Sequence, residues 1–192
     1  PTRVDERPRI DGRLDEALWS TIEPVTDFYQ YEPDNGQPAT ERTEIRIAYD
    51  EDNLYFGIRA FDREPDRIIA RQFERDSWFD ADDSISIAID SLDDNRTALA
   101  FQTNVIGAKL DVQLTETGAF NLSWDTIWYA EGHVDELGYT IEIAIPWFSL
   151  RFKPADALRM GLILERIIRR KNEKVNWPNL SRDYSFLSVS QY

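Results

Sequence analysis

The stretch EIRIAYDEDNLYFGIR, residues 44–59, decides the fold class of this chain. Its first half alternates apolar and polar side chains with a period of two, which is the pattern of a strand that buries one face. Turn-forming residues follow at Asp50–Asn53, and the alternation resumes at Leu54, Phe56 and Ile58. This arrangement predicts a β-hairpin with one side in the protein core.

The same period-two pattern recurs along most of the chain. Strands joined by short turns, with no helical segment between them, pair antiparallel. The sequence therefore predicts an all-β fold, an antiparallel β-sandwich with a few short helical turns. Further strands are predicted at Ser84–Asp90, Ala98–Asn104, Lys109–Thr115, Thr126–His133, Tyr139–Pro146 and Met160–Arg169. Short helical pieces are predicted at Leu14–Trp19, Pro65–Arg71 and Trp147–Leu150.

The composition narrows the classes of partner. Of 192 residues, 36 are Asp or Glu and 22 are Lys or Arg, so the formal net charge is -14. Nucleic-acid binding by such a chain needs a segregated basic face, and the basic cluster at 166–171 is too small to supply one. We therefore expect no nucleic-acid partner. The chain has no Cys, which removes disulfides, thiolate metal sites and Cys nucleophiles.

Residues 1–192 are predicted to form one domain, because no repeat, low-complexity tract or linker divides them. No apolar run approaches the roughly 18 residues of a membrane helix. Residues 177–192 have weak patterning and are interpreted as a lead-in to a further domain downstream. The start at Pro1 is typical of a processed end or of one chosen for expression. We expect the isolated domain to be monomeric.

Three segments resemble carbohydrate-binding module family 9, a family of lectin-like β-sandwiches. They are the opening IDGRLDEALW at 10–19, the hairpin at 45–59, and DDSISIAID at 82–90. The resemblance covers essentially the whole chain. It implies a lectin-like jelly roll that binds an oligo- or polysaccharide without catalysis.

A narrower resemblance is to bacterial outer-membrane proteins in which such a module precedes a predicted β-barrel. It rests on FQTNVIG at 101–107, WDTIW at 124–128, EIAIP at 142–146, LRF at 150–152, RRKNE at 169–173 and Trp177-Pro178. It implies that the chain is the amino-terminal module of a larger bacterial envelope protein. The location would then be the periplasm, the outer membrane or the cell exterior, and the downstream β-barrel would be a partner in the same parent chain.

Aromatic and planar polar side chains are the candidate sugar-binding groups. Pyranose rings stack on flat aromatic surfaces, and a few polar groups fix their hydroxyls. Trp78 and Trp177 lie in polar surroundings at the family's two stacking positions, so the resemblance implies that they enclose a terminal sugar. Trp124 is the next candidate. Hydrogen-bonding groups are expected from Arg96, Gln102, Asn104 and Asn172.

The acidic strand departs from the family pattern at Ser86, where the family usually has a carboxylate that binds sugar hydroxyls. We therefore expect weak binding, or a ligand other than a glucan reducing end. A structural or interaction domain stays open as the alternative: it would keep the fold, lack the sugar site and dock on its own β-barrel or on a partner.

Asp62 and Asp76 are the candidate metal ligands. The segment DREPD at 62–66 places carboxylates at alternating positions after a strand, as calcium loops do, and Asp76 is available on the return. Family 9 modules often hold structural calcium with ligands from this region, so the resemblance implies a structural calcium ion. The alternative is an ordinary solvated acidic loop.

Motifs for catalysis or haem binding are weak or missing. The sequence contains no Gly-x-Ser-x-Gly, His-Glu-x-x-His or phosphate loop, and its one His gives little support to a catalytic triad. Haem ligation through His133 or Met160 is disfavoured, because His133 ends a polar strand and Met160 follows the spacing of a core residue. We expect a domain that is not an enzyme.

Overall fold

The computed structural model describes residues 1–115, 119–152, 157–184, 186 and 188–191. Helix in the described residues is limited to α1, Ala17–Thr21, and four 3-10 turns of three residues each. Those turns lie at Pro65–Arg67, Trp147–Ser149, Arg169–Lys171 and Val189–Gln191. The prediction of an all-β fold with short helical turns is confirmed. Within the same residues, none of these helices has the length and apolar character needed to cross a membrane.

Two sheets form the sandwich. The smaller sheet has the strand order β1-β3-β4-β10-β9, and the larger sheet has the order β2-β12-β11-β5-β6-β7-β8. Neighbouring strands pair antiparallel, except that β1 pairs parallel with β3. The strands are β1 Thr2–Arg3, β2 Tyr29–Glu32, β3 Thr43–Tyr49, β4 Asn53–Phe61, β5 Ser84–Asp90, β6 Thr97–Asn104, β7 Lys109–Thr115, β8 Phe120–Asn121, β9 Tyr129–Asp135, β10 Gly138–Pro146, β11 Gly161–Ile168 and β12 Glu173–Trp177.

The predicted hairpin is β3 with β4, in which Ile45 lies opposite Ile58. Its turn is fixed by one carboxylate: Asp50 Oδ1 accepts the backbone N–H groups of Asp52 and Asn53, each at 2.7 Å. This local bonding offers the backbone a partner other than a neighbouring strand. This bonding explains why β3 ends at Tyr49 and β4 begins at Asn53.

The core lies between the two sheets. Ile58 of the smaller sheet and Ile87 and Leu164 of the larger sheet belong to one buried apolar cluster. Successive strand residues point to opposite faces. Ala88 and Glu165, which follow Ile87 and Leu164, therefore belong to the face of the larger sheet that points away from the smaller one. We call this the outer face.

Buried carboxylates shorten one helix that the sequence predicts at Pro65–Arg71. The turn stops at Arg67 because the next amides bond elsewhere. Asp83 Oδ2 accepts the N–H of Ile69 at 2.8 Å, and Asp82 Oδ2 accepts the N–H of Arg71 at 3.0 Å. These amides cannot then bond to helical carbonyl groups, so the chain runs on as a loop.

A similar competition moves the start of a strand. The pattern predicts a strand at Thr126–His133, whereas β9 begins at Tyr129. The N–H of Thr126 donates to Asp111 Oδ2 at 2.8 Å, and the indole of Trp128 donates to Asp111 Oδ1 at 3.0 Å. The buried Asp111 carboxylate thereby holds this segment outside the sheet.

The opening segment covers the smaller sheet on the side away from the core. Glu142 of β10 accepts the N–H groups of Asp11 and Gly12, each at 3.0 Å, and the indole N–H of Trp19 at 2.9 Å. The Trp19 ring lies over Gly57 of β4, where an added Cβ would stand 2.7 Å from Cε3 of the indole. Burial raises the pKa of Glu142 to about 7, against the lowering effect of these donors.

Candidate functional site

A row of polar side chains crosses the outer face. The strand register places Asn176 of β12 opposite Glu165 of β11, Glu165 opposite Ser86 of β5, and Ser86 opposite Gln102 of β6. All four are at most 9% exposed. The half-buried Tyr29 of β2 lies opposite Asn176 and extends the row with an aromatic ring. We call these five residues the polar row.

Hydrogen bonds within and beside the row use only part of the hydrogen-bonding capacity of its side chains. With the Asn176 amide turned so that its NH2 group faces the carboxylate, it donates to Glu165 Oε2 at 3.1 Å. Gln102 Nε2 donates to the hydroxyl of Ser84 at 3.3 Å. Planar amides and a carboxylate offer both donors and acceptors to hydroxyl groups. The row therefore has the chemistry that a polyhydroxylated ligand requires.

Glu165 is the most strongly perturbed member of the row. Burial raises its pKa to about 7; the charge of Lys174 lowers it, while the charges of Asp80 and Glu32 raise it. Lys174 Nζ also lies 3.8 Å from Asp80 Oδ1, so its charge is shared between two carboxylates. No Lys or Arg in the part of the chain that the structure describes makes an ion pair with Glu165. Carboxylates with such a raised pKa cluster at binding and catalytic sites, although Glu142 shows that a structural position can raise the pKa equally.

The segment Trp78–Asp80 passes over the outer face. Trp78 is 42% exposed and packs edge-to-face on Phe120 of β8, with ring centroids 5.5 Å apart. Asp80 makes an ion pair with Lys174 on β12, which is five strands away from β8 in the sheet order. Phe79, between them, is fully buried. The side chains of this segment therefore contact two strands near opposite edges of the sheet, β8 and β12, and Trp78 presents its indole to solvent.

The structure does not bring Trp78 and Trp177 together. Trp177 ends β12 opposite Leu164 and packs against the core between the sheets. Its neighbour Asn176 takes the outer face, since side chains alternate along a strand. Trp78 is thus on the outer face and Trp177 on the core side. Trp124 also packs against the core, edge-to-face with Phe101 at 6.0 Å.

The four predicted hydrogen-bonding residues also lie in different parts of the molecule. Gln102 lies in the polar row. Asn104 holds the loop before β5, because its Nδ2 donates to Gln72 O at 2.8 Å and to Asp82 Oδ2 at 2.9 Å. Arg96 lies in the turn between β5 and β6, where its N–H donates to Asp94 at 2.8 Å. Asn172 ends a 3-10 turn in the left-handed conformation and accepts a hydrogen bond from Arg169.

Sequence analysis misses Glu165 and Asn176. A signal for Glu165 is present in the segment LILERII at 162–168, where a charged pair interrupts an apolar run. Such runs are typical of strands covered on both faces, so a carboxylate within one is buried on one face or the other. The signal for Asn176 is absent, because β12 is only five residues long.

Asp62 already has a cation beside it. The guanidinium of Arg170 donates to Asp62 Oδ1 at 2.5 Å and to Glu41 Oε1 at 2.9 Å, and its side chain is 7% exposed. Burial alone would lower the pKa of Arg170, but Asp62 and Glu41 raise it above its usual range. Asp76 lies elsewhere, bonded through its N–H to Lys109 O at 2.9 Å.

Calcium at Asp62 and Asp76 stays a prediction. In the described ranges, no three His, Cys, Asp or Glu side chains are grouped so that they could hold a metal ion. Calcium takes roughly six to eight oxygen ligands. The arrangement around Asp62 is therefore that of an ion pair with Arg170 rather than of a metal cage.

The fold and this face define a class of protein. It is a two-sheet antiparallel β-sandwich that carries planar polar groups and an exposed indole on one sheet face. The family model for the carbohydrate family 9 binding domain-like group matches residues 10–177. The chain belongs to this family, as the sequence resemblance predicts. No curated protein matches the chain.

Solved structures share the fold. A family 9 carbohydrate-binding module from Caldicellulosiruptor kristjanssonii, in complex with cellotriose, is 16% identical with a TM-score of 0.61, covering 94% of this chain and 83% of that one. The module from the same organism in complex with glucose is 17% identical, with a TM-score of 0.62 and coverages of 98% and 92%. A candidate carbohydrate-binding protein from Bacteroides uniformis is 12% identical, with a TM-score of 0.74 and coverages of 97% and 92%. At these identities the likeness shows the fold alone.

Proposed function

We propose that this domain binds an oligo- or polysaccharide on the outer face of the larger sheet, without catalysis. Membership of a carbohydrate-binding family supports the class of ligand. The observation that carries the proposal is that one face of the larger sheet carries both the exposed indole of Trp78 and a row of planar polar side chains. An indole gives a flat surface for the C–H face of a pyranose ring, and the row supplies directional hydrogen bonds.

Each group has a distinct role in this proposal. Trp78 stacks on one sugar ring, with Phe120 holding the indole edge-to-face. Gln102 donates to and accepts from hydroxyl groups, and Glu165 accepts from them. Because Trp177 packs on the core side, only one of the two predicted stacking residues takes part. A single stacking contact is worth about 1 kcal/mol, so we expect weak affinity.

The wider setting follows from the sequence resemblance. We propose that the domain is a module of a larger bacterial envelope protein, followed by a β-barrel, and that it is monomeric in isolation. The same resemblance implies a structural calcium ion at Asp62 and Asp76, which we include in the proposal. A deletion series of the parent protein, fractionated between periplasm and outer membrane, tests the location.

Glycan screening followed by titration calorimetry tests the function. We expect Trp78→Ala to weaken binding of the best glycan about fivefold or more, since roughly 1 kcal/mol is lost. Phe148→Ala is the matched control, because Phe148 is 74% exposed on the turn after β10 of the smaller sheet. Equal loss in both variants, or no bound glycan at all, contradicts the proposal.

A structural or interaction domain is the second candidate, favoured by the packing of the carboxyl-terminal residues. Val189 is buried with Ala88, Ala100 and Val112 of the outer face, and Phe186 packs against the same cluster. A segment that covers this part of the face leaves less of it for a glycan. Truncation after residue 184 distinguishes the two: tighter glycan binding supports a sugar face, and loss of stability without glycan binding supports the interaction domain.

A further inference from the structure

Resting on the proposed carbohydrate function, we infer that the ligand of this face is a cationic amino sugar, and that Glu165 is the residue that selects it. The ammonium group of such a sugar would lie against the Glu165 carboxylate. Neutral sugars of the same ring shape would bind less tightly.

The position of Glu165 is the first support. Ser86, between Glu165 and Gln102 in the polar row, has a hydroxyl group and no charge to offer a ligand. Glu165 lies directly opposite Ser86 in the strand register, on the same face of the sheet. Side chains in such a pair start about 5 Å apart. β11 thus supplies the one carboxylate of the polar row.

The charge around Glu165 is the second support. Asp80 and Glu32 are close enough to raise its pKa, while the charge of Lys174 lowers it. Lys174 is already engaged by Asp80. Within the described residues the site holds three carboxylates and one cation, so a positive ligand complements it.

The burial of Glu165 is the third support. The residue is 9% exposed, and its hydrogen bond in the described residues comes from the neutral Asn176 amide. A buried carboxylate without a cation is costly, and an ion pair with additional hydrogen bonds relieves the cost. A ligand ammonium would supply the missing charge. Sugar hydroxyls alone would supply hydrogen bonds but leave the charge uncompensated.

Charged side chains at the edge of the site are exposed to the solvent from which a ligand would enter. The side chains of Lys174 and Asp80 are 34% and 69% exposed, so two of the charged groups that act on Glu165 reach water. Trp78 stands exposed at the other end of the segment that carries Asp80. A sugar that stacks on this side of the segment can place a ring substituent toward the polar row.

Titration calorimetry at pH 7 with matched ligands tests the inference. The probes are glucosamine and a deacetylated chito-oligosaccharide, each compared with its N-acetylated counterpart of the same length. We expect the ammonium form to bind about tenfold more tightly or better in the native domain, as expected for a close charge pair. We expect Glu165→Gln to reduce this ratio to near one while neutral glycans still bind.

Two further variants control for bulk charge and for folding. Glu23→Gln makes the same change of charge at an exposed site outside the larger sheet, and it should leave the ratio unchanged. Asp80→Asn should reduce the ratio partly, and it keeps the inference testable if Glu165→Gln fails to fold. Circular dichroism confirms the fold of each variant.

Each outcome separates the inference from the function on which it rests. Equal affinity for ammonium and N-acetylated ligands overturns the inference and leaves carbohydrate binding intact. A preference that survives in Glu165→Gln, or that Glu23→Gln lowers equally, overturns the role of Glu165. Absence of binding by any ligand, neutral or cationic, overturns the proposed function together with the inference.

Discussion

Replacing Glu165 with Gln should make the folded domain more stable, and increasingly so as the pH rises. The substitution keeps the shape of the side chain and its hydrogen bond with Asn176, but it removes a carboxylate that burial disfavours. Because the pKa of Glu165 rises from 4.5 to about 7 on folding, the folded state binds this proton more tightly than the unfolded state does. Stability therefore falls as the pH rises from about 4.5 to 7.

The size of the effect follows from the same two pKa values. Each pKa unit corresponds to about 1.4 kcal/mol, so full ionisation of Glu165 costs the folded state about 3 kcal/mol. The cost is absent below pH 4.5 and complete above pH 7. We expect the stability difference between Glu165→Gln and the native domain to grow from near zero to about 3 kcal/mol over this range.

Urea denaturation followed by Trp fluorescence measures this difference at pH 4.5, 6, 7 and 8. Glu142, whose pKa is also raised to about 7, is present in both proteins and cancels in the comparison. Glu23→Gln is the control for loss of one surface charge. A stability difference that does not change with pH, or one in which Glu165→Gln becomes less stable as the pH rises, would refute the reasoning.

Three further predictions concern the ends and the packing of the sandwich. Arg170→Met leaves the buried Asp62 without its cation, whereas Glu41 keeps Lys171 and Arg63, so urea denaturation should show a loss of about 3 kcal/mol or more. If Asp62 and Asp76 also hold calcium, chelation by EDTA should lower the melting temperature of the native domain; an unchanged melting curve makes them ordinary loop residues. Gly57→Ala should cost about 1 to 3 kcal/mol, because the new methyl group displaces the Trp19 ring, and an unchanged midpoint would contradict that close contact.

Much of the fold can be predicted from the sequence, because period-two alternation is a local property. The hairpin at 44–59 is visible in the pattern of its own side chains. β2 and β12 are not predicted, since each has only four or five residues and therefore too few alternations to recognise. Their pairing depends on β11, which is placed by contacts far away in the sequence.

The candidate site is less accessible to sequence analysis. Trp177 lies between Asn176 and Pro178, so its neighbours suggest an exposed side chain. Trp177 is two residues from the buried Val175, and side chains two residues apart on a strand share a face, so Trp177 lies on the core side instead. Local polarity does not identify the face of a strand that points to the core when residues on both faces are buried. The polar row also could not be predicted from local sequence, because Glu165 and Ser86 become neighbours only when β11 pairs with β5.

The anchoring of the opening segment on Glu142 has a consequence for biosynthesis. The donors at Asp11, Gly12 and Trp19 precede their acceptor by 131, 130 and 123 residues. A ribosome makes the donors first, so the opening segment must wait for most of the domain to be translated before its amides find their carboxylate. Until then β4 also lacks β10, its partner in the smaller sheet. Such a nascent chain exposes apolar surface and an unpaired strand edge for most of its synthesis, the condition in which incomplete chains are most prone to aggregation.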